Sequence, residues 1–251
     1  VLSVTYKEPE EFAGSFTASL QGGAFHLEGG SKDHRFTYLT GIRYRTNQYV
    51  LQSLDTDGDY RPSFFDAQTY LTYDMTEKWE IGFLGNIAQN RYNFIPSTRR
   101  TEFGTINEAL QLTVFFDGQE VDQFQTYFGA FTSTHKPSED LELKFISSVF
   151  RSLEDENFDI EGGYSIDELE RDLSQEDFGD VKFNRGIGTF LDHARNTLDA
   201  TVFNIEHKGK KITKKHTTYW GLKYQSEFIK DRLSEWGFVD SAGYFLSLIH
   251  I

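Results

Sequence analysis

The residues with the spacing for chemistry lie in DTDGDY, where Asp55, Asp57 and Asp59 alternate as the first ligands of a calcium loop do. The pattern departs from an EF-hand, because Gly58 stands fourth instead of sixth and no Glu follows at the twelfth position. A turn explains the same residues, and a cation held there would order a loop without catalysing anything. HKGKKITKKH, residues 207–216, reads as a basic phosphate patch or as a solvated turn between two strands. His193 and His207 have no Asp, Glu or Cys at ligand spacing, which fits satisfied polar positions better than a metal site. Tyr73, Trp79 and Trp220 stand beside short polar turns, where sugar stacking and an interfacial aromatic girdle both use such rings. No nucleophile elbow, phosphate loop or paired-carboxylate motif is present. The expectation is a protein that is not an enzyme, with no cofactor.

Composition narrows the class. Twenty-five Lys and Arg against 39 Asp and Glu give a formal charge of -14, which repels a phosphate backbone and leaves nucleic acid out as a partner. Zero cysteines exclude a disulfide scaffold and thiolate chemistry. No run reaches the 18 or so apolar residues of a spanning helix. Yet aromatics make up 16 % of a chain whose mean hydropathy is -0.52. Strands with one apolar and one wet face reconcile the two figures.

The period-two pattern is explicit. In KWEIGFLGNIAQN, Trp79, Ile81, Phe83, Gly85 and Ile87 oppose Glu80, Gly82, Leu84, Asn86 and Ala88. Phe36 to Tyr44, Leu141 to Val149 and Trp220 to Phe228 repeat it. About nine strands are expected, over 14–21, 22–29, 34–46, 63–74, 78–91, 121–134, 139–152, 194–208 and 214–230. Short turns (29–35, 74–78, 135–140, 207–216) alternate with long links (47–62, 92–121, 152–194), a parity typical of an outer-membrane barrel. Residues 107–117 either lengthen the sixth strand or form a hairpin in the loop. In SIDELERDL, Ser165 and Glu168 have capping-box spacing, which predicts a short surface helix inside an acidic loop. A solvated loop and a ligand-facing lid both fit that segment.

Val1 to Pro9, VLSVTYKEP, resembles the last strand of the plug in TonB-dependent receptors, and GSFTASLQGGAFHLEGG resembles that family's first barrel hairpin. YRTNQYVLQSLDTDGDYRPSF, KWEIGFLGNIAQNRYNF and GTFLDHARNTLDATV are similar to receptors of Bacteroidetes-type bacteria, so the resemblance covers residues 1–245. It implies a barrel of 22 strands around an internal plug, placed in the bacterial outer membrane and importing a scarce ligand. Implied partners are outer-membrane lipid, a TonB-type energy-coupling protein acting through a region not contained here, and a surface lipoprotein. Arg35, Arg43, Arg45, Glu80, Asp140, Glu142 and Lys144 then become candidates for facing the plug, with loops 47–62, 92–121 and 152–194 building specificity.

The last six residues, LSLIHI, are what CTG TCT CTT ATA CAC ATC encodes, a sequence resembling the mosaic-end adapter of transposase-based sequencing libraries. The expected organisation is a plug end over 1–10, the first part of the barrel over 11–245, and an adapter-derived tail over 246–251. The expected fold is all-β: an incomplete antiparallel transmembrane barrel of about nine strands from a larger one. Two other classes share the alternation, a passive porin-like barrel and a soluble β-rich adhesin or carbohydrate-binding module.

Overall fold

The computed structural model describes residues 6–54, 58–105 and 108–240. It is almost entirely β. Twelve strands are formed: β1 (Ala13–Ser19), β2 (Gly22–Gly30), β3 (Phe36–Thr46), β4 (Gly58–Tyr60), β5 (Ser63–Thr76), β6 (Trp79–Pro96), β7 (Arg99–Thr105), β8 (Glu108–Ser138), β9 (Leu141–Leu169), β10 (Val181–Ile212), β11 (Thr217–Arg232) and β12 (Glu235–Val239). One short helix, α1 (Gln48–Gln52), follows β3. All strands belong to a single antiparallel sheet whose main path runs β1-β2-β3-β5-β6-β8-β9-β10-β11. Each neighbour is also next in the chain apart from three short side pieces, so the sheet is an open meander with β1 and β11 at its ends.

Register shows that those pieces are continuations of longer strands. β4 meets β6 at Gly58↔Pro96 in the same register as Ser63↔Arg91 of β5, so β4 and β5 form one strand interrupted at Arg61-Pro62. Pro62 has no N–H to give to a ladder. β12 keeps the register of β11, since Thr197↔Arg232 and Ala194↔Glu235 fall on one diagonal. β7 carries β6 onward along β8 with a slip of one residue, from Phe94↔Glu120 to Arg99↔Val114. The main path therefore holds nine long strands, the number expected from the alternation.

Two expectations about the links are overturned. Residues 92–121 and 152–194 are not long loops, because β6 to β10 run straight through them; β8, β9 and β10 are 31, 29 and 32 residues long. Residues 107–117 both lengthen the sixth strand and form a hairpin, as β8 starts at Glu108 and pairs with β7. The helix expected at SIDELERDL is strand as far as Leu169. Ile166 sits between Leu112 of β8 and Gly186 of β10, and Ser165 donates to the Asp167 carboxylate at 3.0 Å in place of capping a helix. A nine-residue helix with no packing face is marginal, whereas a strand flanked on both sides satisfies its amides on both edges. Only the end, Glu170 to Asp180, turns.

The sheet has no second layer among the described residues. The chain exposes 17,941 Å², against about 11,400 Å² expected for a compact soluble monomer of its 29.0 kDa. Among the described residues, Ala130, Leu169, Ala194 and Pro9 are the buried apolar side chains. Phe16, Ile42, Phe83, Ile87, Phe131, Val149, Leu222 and Phe228 all stay exposed. Hydrogen-bond ladders, not a core, hold this fold together.

Candidate functional site: the two faces of the sheet

Paired residues in an antiparallel sheet project to the same side, so register sorts every side chain onto one of two faces. One row reads Phe16, Phe25, Ile42, Ala67, Ile87, Tyr127, Arg151, Thr201, Phe228, crossing all nine strands of the path. Toward the short turns on the same face come Thr40, Thr69, Gly85, Gly129, Val149 and Phe203, then Tyr38, Leu71, Phe83, Phe131 and Tyr224, then Phe36, Tyr73, Ile81, Phe145 and Leu222. The face is mostly apolar, with Thr, Ser and His interspersed and Arg151 its one charged residue in these rows. Beyond the row of Tyr44, Phe65 and Gln89 it changes character, and Arg91, Gln123, Asp155 and Arg232 take over.

The aromatic candidates mark the opposite limit. Trp79 and Trp220 fall in one row, linked through His135, Leu143 and Gly209, and Tyr73 lies in the next. The Trp79 indole N–H donates to Ser133 Oγ at 2.8 Å, and that of Trp220 donates to His207 Nε2 at 3.3 Å. Trp220 lies so flat on Gly209 that a Cβ there would come within 2.0 Å of its ring. Each indole is amphipathic in use, with its ring on the apolar face and its N–H satisfied by the strand beside it.

The other face is polar and receives the N-terminal segment. Tyr6 stacks on Tyr70 at 4.9 Å between centroids, and Gln68 Nε2 donates to Tyr6 Oη at 2.7 Å. Lys7 Nζ donates to Glu28 Oε1 at 2.5 Å, where the Glu28 carboxylate is 10 % exposed and also faces His26 Nε2 at 3.3 Å. Pro9 is buried, with its carbonyl 2.9 Å from where a Cβ would stand on Gly30. Residues 6–10 thus lie against the polar side and leave the apolar side bare.

Five of the seven polar candidates share that face. Arg43 Nε donates to Asp66 Oδ2 at 2.7 Å while its guanidinium covers the Phe64 ring at 4.9 Å. Arg45 stands in the next row, between Gly22 and Phe64. Glu80 stands opposite Asp74 and Thr134, Lys144 opposite Thr134 and Lys208, and Glu142 opposite Lys210, so opposite charges meet across strands at Glu142–Lys210 while Glu80–Asp74 and Lys144–Lys208 set like charges face to face. Arg35 and Asp140 sit in turns. The Arg35 guanidinium donates to the carbonyls of Asp74 (3.0 Å) and Met75 (2.6 Å) and lies over Tyr73, beside the girdle residues. The Asp140 carbonyl accepts the Ile212 N–H at 2.8 Å.

Past the apolar rows the strands continue as a wet hairpin array tied by ion pairs that sequence reading missed. Arg185 bridges Glu108 and Glu168, Lys182 meets Glu170 at 2.9 Å, and Asp159 receives both Arg195 and His193 Nδ1, the latter at 2.5 Å. The Arg195 guanidinium, more than the opposing burial or the His193 bond, holds the Asp159 carboxyl below its usual value. Each pair joins residues far apart in the chain, so no local spacing announces it. On the polar face of this region Glu120, Asp122, Glu154 and Glu156 gather among Tyr92, Phe94, Phe124 and Phe158, and β4 lays Tyr60 on Phe94 at 4.6 Å. Asp59 is paired with Arg61 and Gln52, and those bonds lower its carboxyl pKa. Asp55 and Asp57, the other two calcium candidates, lie outside the described residues, as do 1–5 of the plug end and the whole 246–251 tail. The basic stretch 207–216 is the end of β10 and a four-residue turn closed by Thr213 N–H to His216 O at 2.8 Å. No protein-family model matches this chain, and no curated protein matches it.

Proposed function

We propose that the chain is the end of the plug and the first nine strands of the barrel of a TonB-dependent outer-membrane receptor, serving energised uptake of a scarce ligand. One observation carries the reading: a single sheet with an uncovered apolar face across nine strands, whose polar face is the one that receives residues 6–10. A soluble sandwich or adhesin would cover the apolar rows with a second sheet. A passive porin would leave its polar face to water.

Dimensions support the same reading. From Trp79 to Gln89 the strand makes ten steps of about 3.3 Å, which at a tilt of about 40° rise about 25 Å, the height of an outer-membrane apolar band. Tyr73, Trp79 and Trp220 occupy its periplasmic rim, and the hairpins of β6 to β10 stand outside it. β9 runs sixteen residues past Leu153, about 53 Å along the strand. In this setting Arg43, Arg45, Glu80, Glu142 and Lys144 line the lumen, and the acidic and aromatic residues above them meet incoming solute. The open edges of β1 and β11 require further strands, since an exposed ladder edge is not tolerated in hydrocarbon.

Long-read sequencing of the source DNA through both ends of this reading frame tests the proposal. It expects plug-coding sequence upstream of Val1 and further alternating strands beyond Phe245. A native frame that encodes LSLIHI and then stops, or that has no plug upstream, sinks it.

A further inference from the structure

On the apolar face, a row of small residues lies between two rows of large ones. Gly85 and Gly129 are directly paired, with Thr69 beside Gly85 on the next strand. Phe83 walls this row on the short-turn side, and Ile87 and Tyr127 wall it on the other. The result is a trough of about 700 Å³, lined almost wholly by carbon, which crosses from β3 to β9. Four strand spacings of about 4.8 Å make it about 19 Å long, comparable with one hydrocarbon leaflet of about 15 Å. At its β9 end stands Arg151, in the row of Ile87 and Tyr127, one row inside that of Phe65 and Gln89.

We propose that this trough holds one acyl chain of a bilayer phospholipid, with the lipid phosphate on Arg151. The site rests on the membrane reading above and names a specific lipid position within it. Asp199 grips Arg151 through Nε and Nη2, both at 3.0 Å, which fixes the guanidinium at the mouth. Of the five guanidinium donors, three have no protein acceptor among the described residues, and a planar fork of N–H groups matches phosphate oxygens. Lys230 stands opposite Asp199 on β11, and Asp155 and Arg232 flank Thr197 one row farther out, so three cations stand against two carboxylates around the mouth. An apolar channel ending in a net positive charge fits a chain with an anionic head.

The glycines allow a clean test. A Cβ on Gly129 would meet only Phe83 and Val149, each at 3.9 Å, so Gly129→Val fills the trough without strain and adds a residue suited to strands. The complete barrel, expressed from the full reading frame so that the edges of β1 and β11 are paired, is incorporated into phosphatidylcholine vesicles with spin-labelled phosphatidylglycerol or spin-labelled diacylglycerol, and the motionally restricted lipid is measured. Wild type is expected to restrict phosphatidylglycerol above diacylglycerol. Gly129→Val should lower retention of both lipids, and Arg151→Gln should lower phosphatidylglycerol alone, about fivefold for one arginine at a lipid phosphate. Inserted variants that restrict both lipids as wild type does, or a restricted fraction replaced by contact between two copies, overturn the site and leave the barrel reading standing. Protein that floats free of the vesicles overturns both.

Discussion

On the proposed membrane reading, a lysine placed on the apolar face should be costly in proportion to its depth in the bilayer. Phe83 lies in the third of six rows between Trp79 and Gln89, close to the middle of the band. A lysine on the lipid face of a barrel costs about 2–4 kcal/mol at mid-depth and about 0–1 kcal/mol near the interfaces. Phe83→Lys should therefore lower the folded-to-unfolded ratio about 30- to 800-fold, at 1.36 kcal/mol per tenfold. Tyr73→Lys, at the proposed periplasmic rim, should lower it less than about fivefold. Leu84→Lys turns the same charge to the polar face, beside Tyr70 and Ala130, and should sit with Tyr73→Lys and far from Phe83→Lys. Urea titration of the complete barrel in phosphatidylcholine vesicles reads all three through tryptophan emission. The reasoning fails if Phe83→Lys is within about 0.5 kcal/mol of wild type, or if Leu84→Lys costs as much, because register would then not sort lipid-facing from water-facing positions.

Two further predictions concern the hairpin array. Asp159 has its carboxyl pKa depressed by Arg195 and His193, so the stability it lends is present above the ordinary carboxylate range and lost as pH falls through the lower folded value. Amide protection of β12, whose Trp236 stacks on His193 at 4.9 Å, should weaken on acidification, and Asp159→Asn should flatten that dependence. Hydrogen exchange corrected for intrinsic rates checks it. Gly118 has φ +97 and would put a Cβ 1.9 Å from the Asp159 carbonyl, so Gly118→Ala should cost about 1–3 kcal/mol and open β8–β9 amides locally. Exchange at 117–119 that equals wild type would refute the strain assigned to that glycine.

The sequence alone determined the parts where two environments meet. Phe36 to Tyr44, Trp79 to Ile87 and Trp220 to Phe228 alternate apolar with polar because one face is to be buried and the other wet, and a period of two leaves no alternative to strand. That contrast placed nine strands, the four short turns and the rings Tyr73, Trp79 and Trp220 beside those turns. It failed where acidic composition and a glycine pair mask the period. DENFDIEGGYSIDEL, in the outer half of β9, sets Phe158, Ile160, Tyr164 and Ile166 against Asp155, Asn157, Asp159 and Ser165, but Gly162 and Gly163 break the run, and only the ladders to β8 and β10 show it to be one strand. The helix signal of Ser165 and Glu168 lost there to two ladders. The pairings of Arg151 with Asp199 and of Asp159 with Arg195, the seat of Tyr6 on Tyr70, and the trough over Gly85 and Gly129 were decided only in three dimensions. Each joins strands by a register that hydrogen bonds set, and register is a property of neighbours that no single strand contains.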